Sequence, residues 1–216
     1  MNPHHAASPK IGVLALQGAF QAHAAVLSML GAIPVEVRLP DDLDGLDGLI
    51  LPGGESTTML RFLELHGFLD RLRDFVHTHP TFGTCAGAIL LAHAVQNPPQ
   101  PSLDAIDITV ERNAYGRQLD SCIQTAATTL PGGPLEMVFI RAPRILQVGP
   151  AVTVLATRDD HPVLVRQGDV LAATFHPELS SDQRIHRLFL QMVQAHQAAA
   201  VRPATGSPAS APRASA

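Results

Sequence analysis

The stretch FGTCAGA, residues 82–88, places a cysteine between a short apolar segment and a longer one. We interpret residues 81–84 as a brief buried strand and residues 86–94 as an apolar helix, with Cys85 at the bend. Gly83 and Gly87 let the chain turn tightly and let the strand and the helix approach closely. The pattern is that of a nucleophile elbow, which holds a side chain at the carboxyl end of a strand.

The elbow gives Cys85 two possible roles. The N-terminus of the helix that follows favours a thiolate and offers backbone N–H groups to a developing oxyanion. A buried structural cysteine is the alternative, because free cysteines are often buried. The elbow alone leaves both roles open.

Outward from the elbow, the first half of the chain alternates between short apolar strands and helical patterns. Strands are predicted at 11–16, 35–38, 46–51 and 81–84, and helices at 20–30, from Ser56 or Thr57 as cap to about 65, at 69–77 and at 86–94. This alternation predicts a mostly parallel sheet covered by helices on both faces.

The second half reads differently, because strands follow one another with little helix between them. They are predicted at 106–110, 135–140, 152–157, 163–166 and 170–173, before a final helix at about 181–196. The expected fold class is therefore α/β: three layers, with a mostly parallel central sheet flanked by helices and antiparallel strands added in the second half.

The composition indicates the class of protein and the compartment in which it is expected to work. The 216 residues, 46% of them hydrophobic, suit one globular domain, which we place at 10–197 between a disordered leader (1–9) and a disordered Ala/Pro/Ser-rich tail (198–216). The sequence contains no cluster of Lys and Arg that would indicate nucleic-acid binding, and it contains no apolar run long enough to span a membrane. Two cysteines make no disulfide framework, so the cytoplasm is the expected location.

A thiol nucleophile needs a base, and His176 is the candidate. Most of the 11 histidines lie in helices or polar stretches and are expected to be solvated, whereas His176 directly follows the strand-like segment 171–175. A base at a strand end lies on the same edge of the sheet as the elbow. In an extended segment Glu178 would point the same way and fix the tautomer of the imidazole. Together the three residues indicate a Cys-His-Glu triad.

A third feature is the loop LPGGESTT, residues 51–58, whose glycines leave backbone amides open to a ligand. A plain strand-to-helix turn is the alternative and, for the loop alone, the better one. The loop has neither the lysine of a phosphate-binding loop nor the spacing of a dinucleotide fingerprint. Cys122 lacks an elbow and is treated as structural. No cluster of His, Cys and carboxylates has metal-ligand spacing, and no cofactor is expected.

Taken in order, PGGEST at 52–57, GTCAG at 83–87 and FHPEL at 175–179 resemble the class I, triad-type glutamine amidotransferases. Four further strings narrow the resemblance to one branch of this class. They are IGVLALQG at 11–18, the longer run GLILPGGESTT at 48–58, RNAYGRQ at 112–118 and FIRAP at 139–143. Together they are similar to the family of glutaminase subunits of pyridoxal 5′-phosphate synthase, over residues from about 10 to about 197.

The resemblance implies roles for individual residues. Cys85 would attack the carboxamide of L-glutamine to form a glutamyl thioester, His176 would protonate the departing ammonia, and Glu178 would orient His176. The matching substrate-binding positions are Gly54, Glu55, Ser56, Arg112, Ile140 and Arg141, with the Gly54 and Ala86 amides as oxyanion donors. Arg112 or Arg141 could hold the α-carboxylate and Glu55 the α-ammonium, although a solvated surface charge is the alternative for each.

The resemblance also implies a partner and leaves rivals to weigh. Ammonia would pass to a (β/α)₈-barrel synthase subunit, in a large complex on a dodecameric core, with Gln17 near the interface. The rivals are a glutaminase serving another synthase, such as that of imidazole glycerol phosphate, a γ-glutamyl or peptide hydrolase, and a catalytically silent binding subunit. The strings GTCAG, RNAYGRQ and FIRAP argue against the first rival, and the intact triad argues against the last.

Overall fold

The computed structural model describes residues 8–112, 114 and 122–201. Its strands are β1 (Lys10–Leu14), β2 (Ile33–Val37), β3 (Gly48–Leu51), β4 (Thr81–Thr84), β5 (Ala92–Gln96), β6 (Ile106–Glu111), β7 (Cys122–Ala126), β8 (Leu135–Phe139), β9 (Arg144–Val148), β10 (Thr153–Arg158), β11 (His161–Gln167) and β12 (Val170–Ala173). Its α-helices are α1 (Phe20–Met29), α2 (Ser56–Leu63), α3 (Phe68–Thr78), α4 (Ala86–Leu91) and α5 (Arg184–Val201). A 3-10 turn, Pro177–Leu179, follows β12.

The main sheet has seven strands in the order β10-β11-β12-β4-β3-β1-β2. The five strands from β12 to β2 run parallel, and β11 and β10 continue the sheet as antiparallel neighbours. Smaller sheets, β5-β6-β9 and β7-β8, stand beside it. The mostly parallel α/β sheet with late antiparallel strands is therefore confirmed.

Two hydrophobic cores lie on opposite faces of the sheet, because successive strand residues point to opposite sides. In β3, Leu49 and Leu51 belong to the core under α2, α3 and α4, whereas Ile50 belongs to the core under α1 and α5. Helix α5 presents Ile185, Phe189 and Val193 to the second core at helical spacing. Helices on both faces complete the three layers.

The sheet brings the sequence motifs to one edge. In the strand order, β12, β4, β3 and β1 are consecutive neighbours and parallel. Each ends just before a motif: β12 before His176, β4 before Cys85, β3 before Gly53 and β1 before Gln17. The carboxyl ends of neighbouring parallel strands form the crevice in which α/β folds bind ligands.

The two outer strands of the main sheet are irregular. Strand β2 contains Pro34, which has no backbone N–H, and the Glu36 carboxylate near its end accepts a hydrogen bond of 2.7 Å from Arg38 Nη2. Strand β10 is interrupted by register shifts on either side of Ala156.

Several elements differ from the sequence-based expectation. The helix predicted at 86–94 ends at Leu91, and the chain runs directly into β5 with no turn residue to mark the change. Strands β7 and β9 were not predicted, since β7 is mostly exposed and β9 buries only Ile145, so neither shows apolar alternation.

The ends of the chain follow the prediction in part. Helix α5 continues to Val201, past residue 197 where we placed the end of the domain, because the alanines at 198–200 favour helix. The division into leader, domain and tail otherwise stays a prediction, and residues 1–7 and 202–216 lie outside the described part. Within the described residues, none of the helices has the length and apolarity to cross a bilayer.

Gly87 lets α4 lie directly on β3. A Cβ at Gly87 would stand 1.9 Å from the Leu51 backbone oxygen, and one at Gly83 would stand 2.7 Å from the Gly87 carbonyl. Both obstacles are backbone atoms and cannot rotate away. The glycines of the elbow are thus required by close packing of helix on sheet.

We expect Gly87→Ala to lower the free energy of unfolding by about 1–3 kcal/mol, because the added methyl forces α4 and β3 apart. Gly12→Ala is the control, since its Cβ would meet only side-chain carbons of Leu46, Leu49 and Val37, at 2.5–2.9 Å. Urea denaturation should show the smaller loss for Gly12→Ala. Equal losses would contradict the packing argument.

Candidate active site

Cys85 lies at the end of β4 in a strained backbone conformation. Its φ of 48° and ψ of -104° are unusual for a residue other than glycine. Its N–H donates to the Ala173 oxygen of β12 at 2.8 Å, and its own oxygen accepts from the Ile89 N–H of α4 at 3.2 Å. The strand and the helix therefore fix both sides of the bend, as the nucleophile elbow predicts.

His176 and Glu178 meet just beyond β12. His176 Nδ1 lies 2.7 Å from Glu178 Oε1, and both side chains are buried. Because a carboxylate can only accept, Nδ1 carries the hydrogen and Nε2 is left to face Cys85. The expected contact is present, but the expected extended segment is wrong, since Glu178 lies in the 3-10 turn Pro177–Leu179.

The electrostatics of His176 follow from its two partners. Burial lowers the pKa of His176, but the hydrogen bonds to Cys85 and Glu178, with their charges, outweigh burial and raise the pKa to about 10. At neutral pH the ring is therefore an imidazolium beside the Cys85 sulfur. Such a pair supplies a thiolate to attack a carbonyl and a proton for the leaving group.

Gly53 supports the ring from the side of β3. A Cβ at this position would lie 2.3 Å from His176 Cε1 and 3.0 Å from Nδ1. The ring is thus held between the glycine backbone and Glu178. Any side chain at residue 53 would displace it.

A cavity of about 310 Å³ opens in front of Cys85. It contains eight of the predicted site residues and five others; its lining is Gly18, Ala19, Gly53, Gly54, Glu55, Ser56, Cys85, Ile89, Arg112, Ile140, Arg141, His176 and Leu179. Glu178 contacts the His176 ring at Nδ1, and Ala86 is buried at the start of α4; neither residue lines the cavity. The volume suits a small molecule such as an amino acid.

Glu55 has a role that the sequence did not predict. It is the N-cap of α2, where Ser56 or Thr57 was expected, and its carboxylate accepts from the N–H groups of Thr57 and Thr58 at 3.3 and 2.8 Å. Burial raises the pKa of Glu55, but the hydrogen bonds from Thr57 and Thr58 together outweigh burial and lower the pKa to about 2. Glu55 is therefore ionised at neutral pH.

The other predicted substrate positions line the cavity, and several of them also hold neighbouring parts of the structure in place. Arg112 Nη2 lies 3.2 Å from Glu55 Oε1, so a cation and an anion stand side by side at the cavity wall. Ser56 Oγ donates to Gln100 Oε1 at 2.9 Å and is buried. Arg141 has a φ of 45°, a conformation rare outside glycine. Gln17 donates from its amide to the Glu55 backbone oxygen and so connects β1 to the loop.

The sequence-based expectation for histidines is wrong for His23 and His186, which are fully buried behind the triad. The sequence contained a signal for the burial of these two histidines. His23 shares the apolar face of α1 with Val26 and Leu27, and His186 follows the buried Ile185 on α5. Among the described residues, no group of three or more His, Cys, Asp or Glu side chains is placed to hold a metal.

A cysteine, a histidine and a carboxylate in series at the end of a parallel sheet form the site of a cysteine-dependent hydrolase or amidotransferase. The chain belongs to the SNO glutamine amidotransferase family, whose model matches residues 13–195.

Similarity to known relatives and to a solved structure supports the assignment to this family. The chain is 63% identical over 185 residues to "Pyridoxal 5′-phosphate synthase subunit PdxT" of Koribacter versatilis, covering 86% of this chain and 96% of the relative. It is 53% identical to the protein of the same name from Solibacter usitatus, covering 84% and 97%. A crystal structure of a glutamine amidotransferase superposes with a TM-score of 0.80 at 47% identity, covering 85% and 98%.

We expect Gly53→Ala to lower kcat for ammonia release from glutamine roughly 100-fold, because a shift of about 1 Å in the His176 ring disrupts its contact with the thiol. Gly12→Ala adds the same methyl to the same sheet away from the site and should retain activity. A thermal melt of both variants checks folding. Full activity in a folded Gly53→Ala protein would contradict the packing of the ring.

The raised pKa of His176 predicts its titration. The imidazolium persists at neutral pH and is lost as the pH rises through about 10. In an NMR titration of the ring, Glu178→Gln and Cys85→Ala should both lower the midpoint towards the ordinary 6.5, the second by more, because the Cys85 hydrogen bond contributes more than that of Glu178. The internal reference is the exposed His93, whose pKa is raised by its hydrogen bond to Asp104. A midpoint below 6.5 in the parent protein would contradict the ion pair.

Proposed function

We propose that this chain hydrolyses L-glutamine to L-glutamate and ammonia through a thioester on Cys85, and that the ammonia supplies a pyridoxal 5′-phosphate synthase for vitamin B6 biosynthesis. The observation that carries the proposal is the series Cys85, His176 and Glu178 on neighbouring strands of a member of the SNO glutamine amidotransferase family. The names of the relatives support the destination of the ammonia.

The first half-reaction uses the ion pair. The Cys85 thiolate attacks the carboxamide carbon of glutamine, and the carbonyl oxygen becomes an oxyanion. The amides of Gly54 and Ala86 are the proposed donors to it, one from the loop after β3 and one from the start of α4. As the C–N bond breaks, the His176 imidazolium gives its Nε2 proton to the nitrogen, and ammonia leaves.

The second half-reaction restores the enzyme. Neutral His176 takes a proton from water, the hydroxide attacks the thioester carbon, and glutamate leaves as the thiolate reforms. His176 is then an imidazolium again, and the new γ-carboxyl group gives its proton to the solvent, so the proton balance over the cycle closes. Glu178 accepts from Nδ1 throughout and keeps Nε2 directed at the reacting atoms.

Recognition of glutamine requires a site for both charges of a free amino acid. Arg112 and Glu55 stand 3.2 Å apart at the cavity wall, opposite in charge, and the Arg112 side chain is only 11% exposed. We assign the α-carboxylate to Arg112 and the α-ammonium to Glu55. Gly54 and Ser56 shape the loop, and Ile140 with Arg141 forms the wall across the cavity.

The proposed partner is the (β/α)₈-barrel subunit of the synthase, in a large assembly on a dodecameric core. The word "subunit" in the names of the relatives supports a multi-chain enzyme. We place the docking surface next to the cavity, where Leu179, the last residue of the turn Pro177–Leu179, lines the cavity and is 48% exposed.

The nucleophile assignment is tested with both cysteines. Cys85→Ala should reduce ammonia release from glutamine by at least about 10³-fold, because an alanine at this position cannot form the thioester. Cys122→Ala is the matched control and should retain activity, since Cys122 lies in β7 and does not line the cavity.

Activity is measured as ammonia released, with and without the purified synthase barrel subunit. We expect the partner to raise the activity of the parent protein and of Cys122→Ala and to leave Cys85→Ala inactive. Parent-level turnover by Cys85→Ala would overturn the nucleophile. Cleavage of peptides with no activity on glutamine would instead favour a peptide hydrolase.

A further inference from the structure

A chain of buried polar side chains continues the triad into the core. Glu178 Oε1 faces His176, and its second oxygen, Oε2, lies 3.3 Å from Nε2 of His23 on α1. His23 Nδ1 in turn lies 3.0 Å from Nε2 of His186 on α5. Both histidines are 0% exposed. Two helices on one face of the sheet thus reach the back of the site.

Glu178 Oε2 needs this neighbour. It is a fully buried carboxylate oxygen without a hydrogen bond among the described residues, and His23 Nε2 approaches it to 3.3 Å without the alignment of a hydrogen bond. A buried anionic oxygen without a donor is costly, by about 1–3 kcal/mol or more. The long contact with His23 is therefore what compensates the half of the carboxylate that His176 does not use.

The contacts of His23 favour one arrangement of protons. Glu178 Oε2 can only accept, and the hydroxyl of Thr84, 3.2 Å from His23 Nε2, can accept as well as donate, so we assign the hydrogen to Nε2. Neutral His23 then accepts at Nδ1 from His186 Nε2–H. The remaining atom, His186 Nδ1, is a bare lone pair, which agrees with its having no partner among the described residues.

Both rings are neutral in this arrangement. Burial, followed by the repulsion that protonated His186 and His176 would exert, holds the pKa of His23 well below its usual value. Burial lowers the pKa of His186 to about 4. The groups that face His23 are Glu178, Thr84, His186 and the charged ring of His176, with Phe82 packed against its edge. Because the series ends at a buried nitrogen, it does not conduct protons to solvent.

We propose that His23 is a positioning residue for the reaction, which holds Glu178 through Oε2 so that Oε1 stays directed at His176, while His186 fixes the tautomer of His23. This inference rests on the proposed glutaminase function and extends it to residues that touch neither substrate nor thiol. A role as core filling alone would need only the volume of the ring, whereas the proposed role needs the Nε2–H.

The test compares His23→Leu with His23→Gln. The side-chain amide nitrogen of glutamine can occupy the place of the imidazole Nε2, so His23→Gln keeps the donor and His23→Leu removes it. We expect His23→Leu to lower kcat for glutamine about 10- to 100-fold with an unchanged KM, and His23→Gln to restore most of that loss. His77→Leu, an exposed histidine on α3, is the control and should match the parent.

Equal kcat for the leucine and glutamine variants, or an effect confined to KM, would overturn the proposal. If His23→Leu does not fold, nitrogen-15 NMR of histidine in the parent protein decides the matter without a mutation. We expect His23 as the neutral Nε2–H tautomer, and a charged ring or the Nδ1–H tautomer would contradict it. Failure of the proposed function is distinguishable, since the parent would then release no ammonia while the tautomer is still observed.

Discussion

Hydrogen bonding between β4 and β12 sets Thr84 opposite Ala173, so that the residues following these strands leave the sheet side by side. Cys85 extends the pairing by one residue, with its N–H bonded to the Ala173 oxygen. His176 follows β12, and its backbone N–H donates to the Val138 oxygen of β8 at 2.8 Å. The thiol and the imidazole come from distant parts of the sequence, and only this register of two parallel strands brings them together.

The triad, the loop and the sheet edge were predictable because each leaves a local trace. Small residues at an elbow, glycines after a strand and apolar runs in alternation with helices are short-range patterns. Strands β5, β7 and β9 leave no such trace. The first continues a helix without a break, and the other two bury too little apolar surface to alternate, so tertiary pairing decides their structure.

The site shows the same division between local and tertiary information. The cavity residues Arg112 and Glu55 follow from motifs, but their mutual contact and the capping of α2 by Glu55 depend on side-chain geometry. His23 and His186 were placed in solvent because histidine is ambiguous on an amphipathic helix. What identifies them is that α1 and α5 pack on the same face of the sheet, which no segment of sequence reveals alone.

The irregular outer strands of the main sheet have a consequence for the behaviour of many copies of the chain in solution. An unpaired strand edge invites another strand to add to it, which leads to fibrils and precipitates. Pro34 withdraws one donor from β2, the charges of Glu36 and Arg38 stand near its end, and the backbone of Thr128 and Thr129 pairs with β10 at Ala156 and Leu155. Both margins of the sheet thus disfavour self-templated aggregation, leaving the protein free to associate through side-chain surfaces.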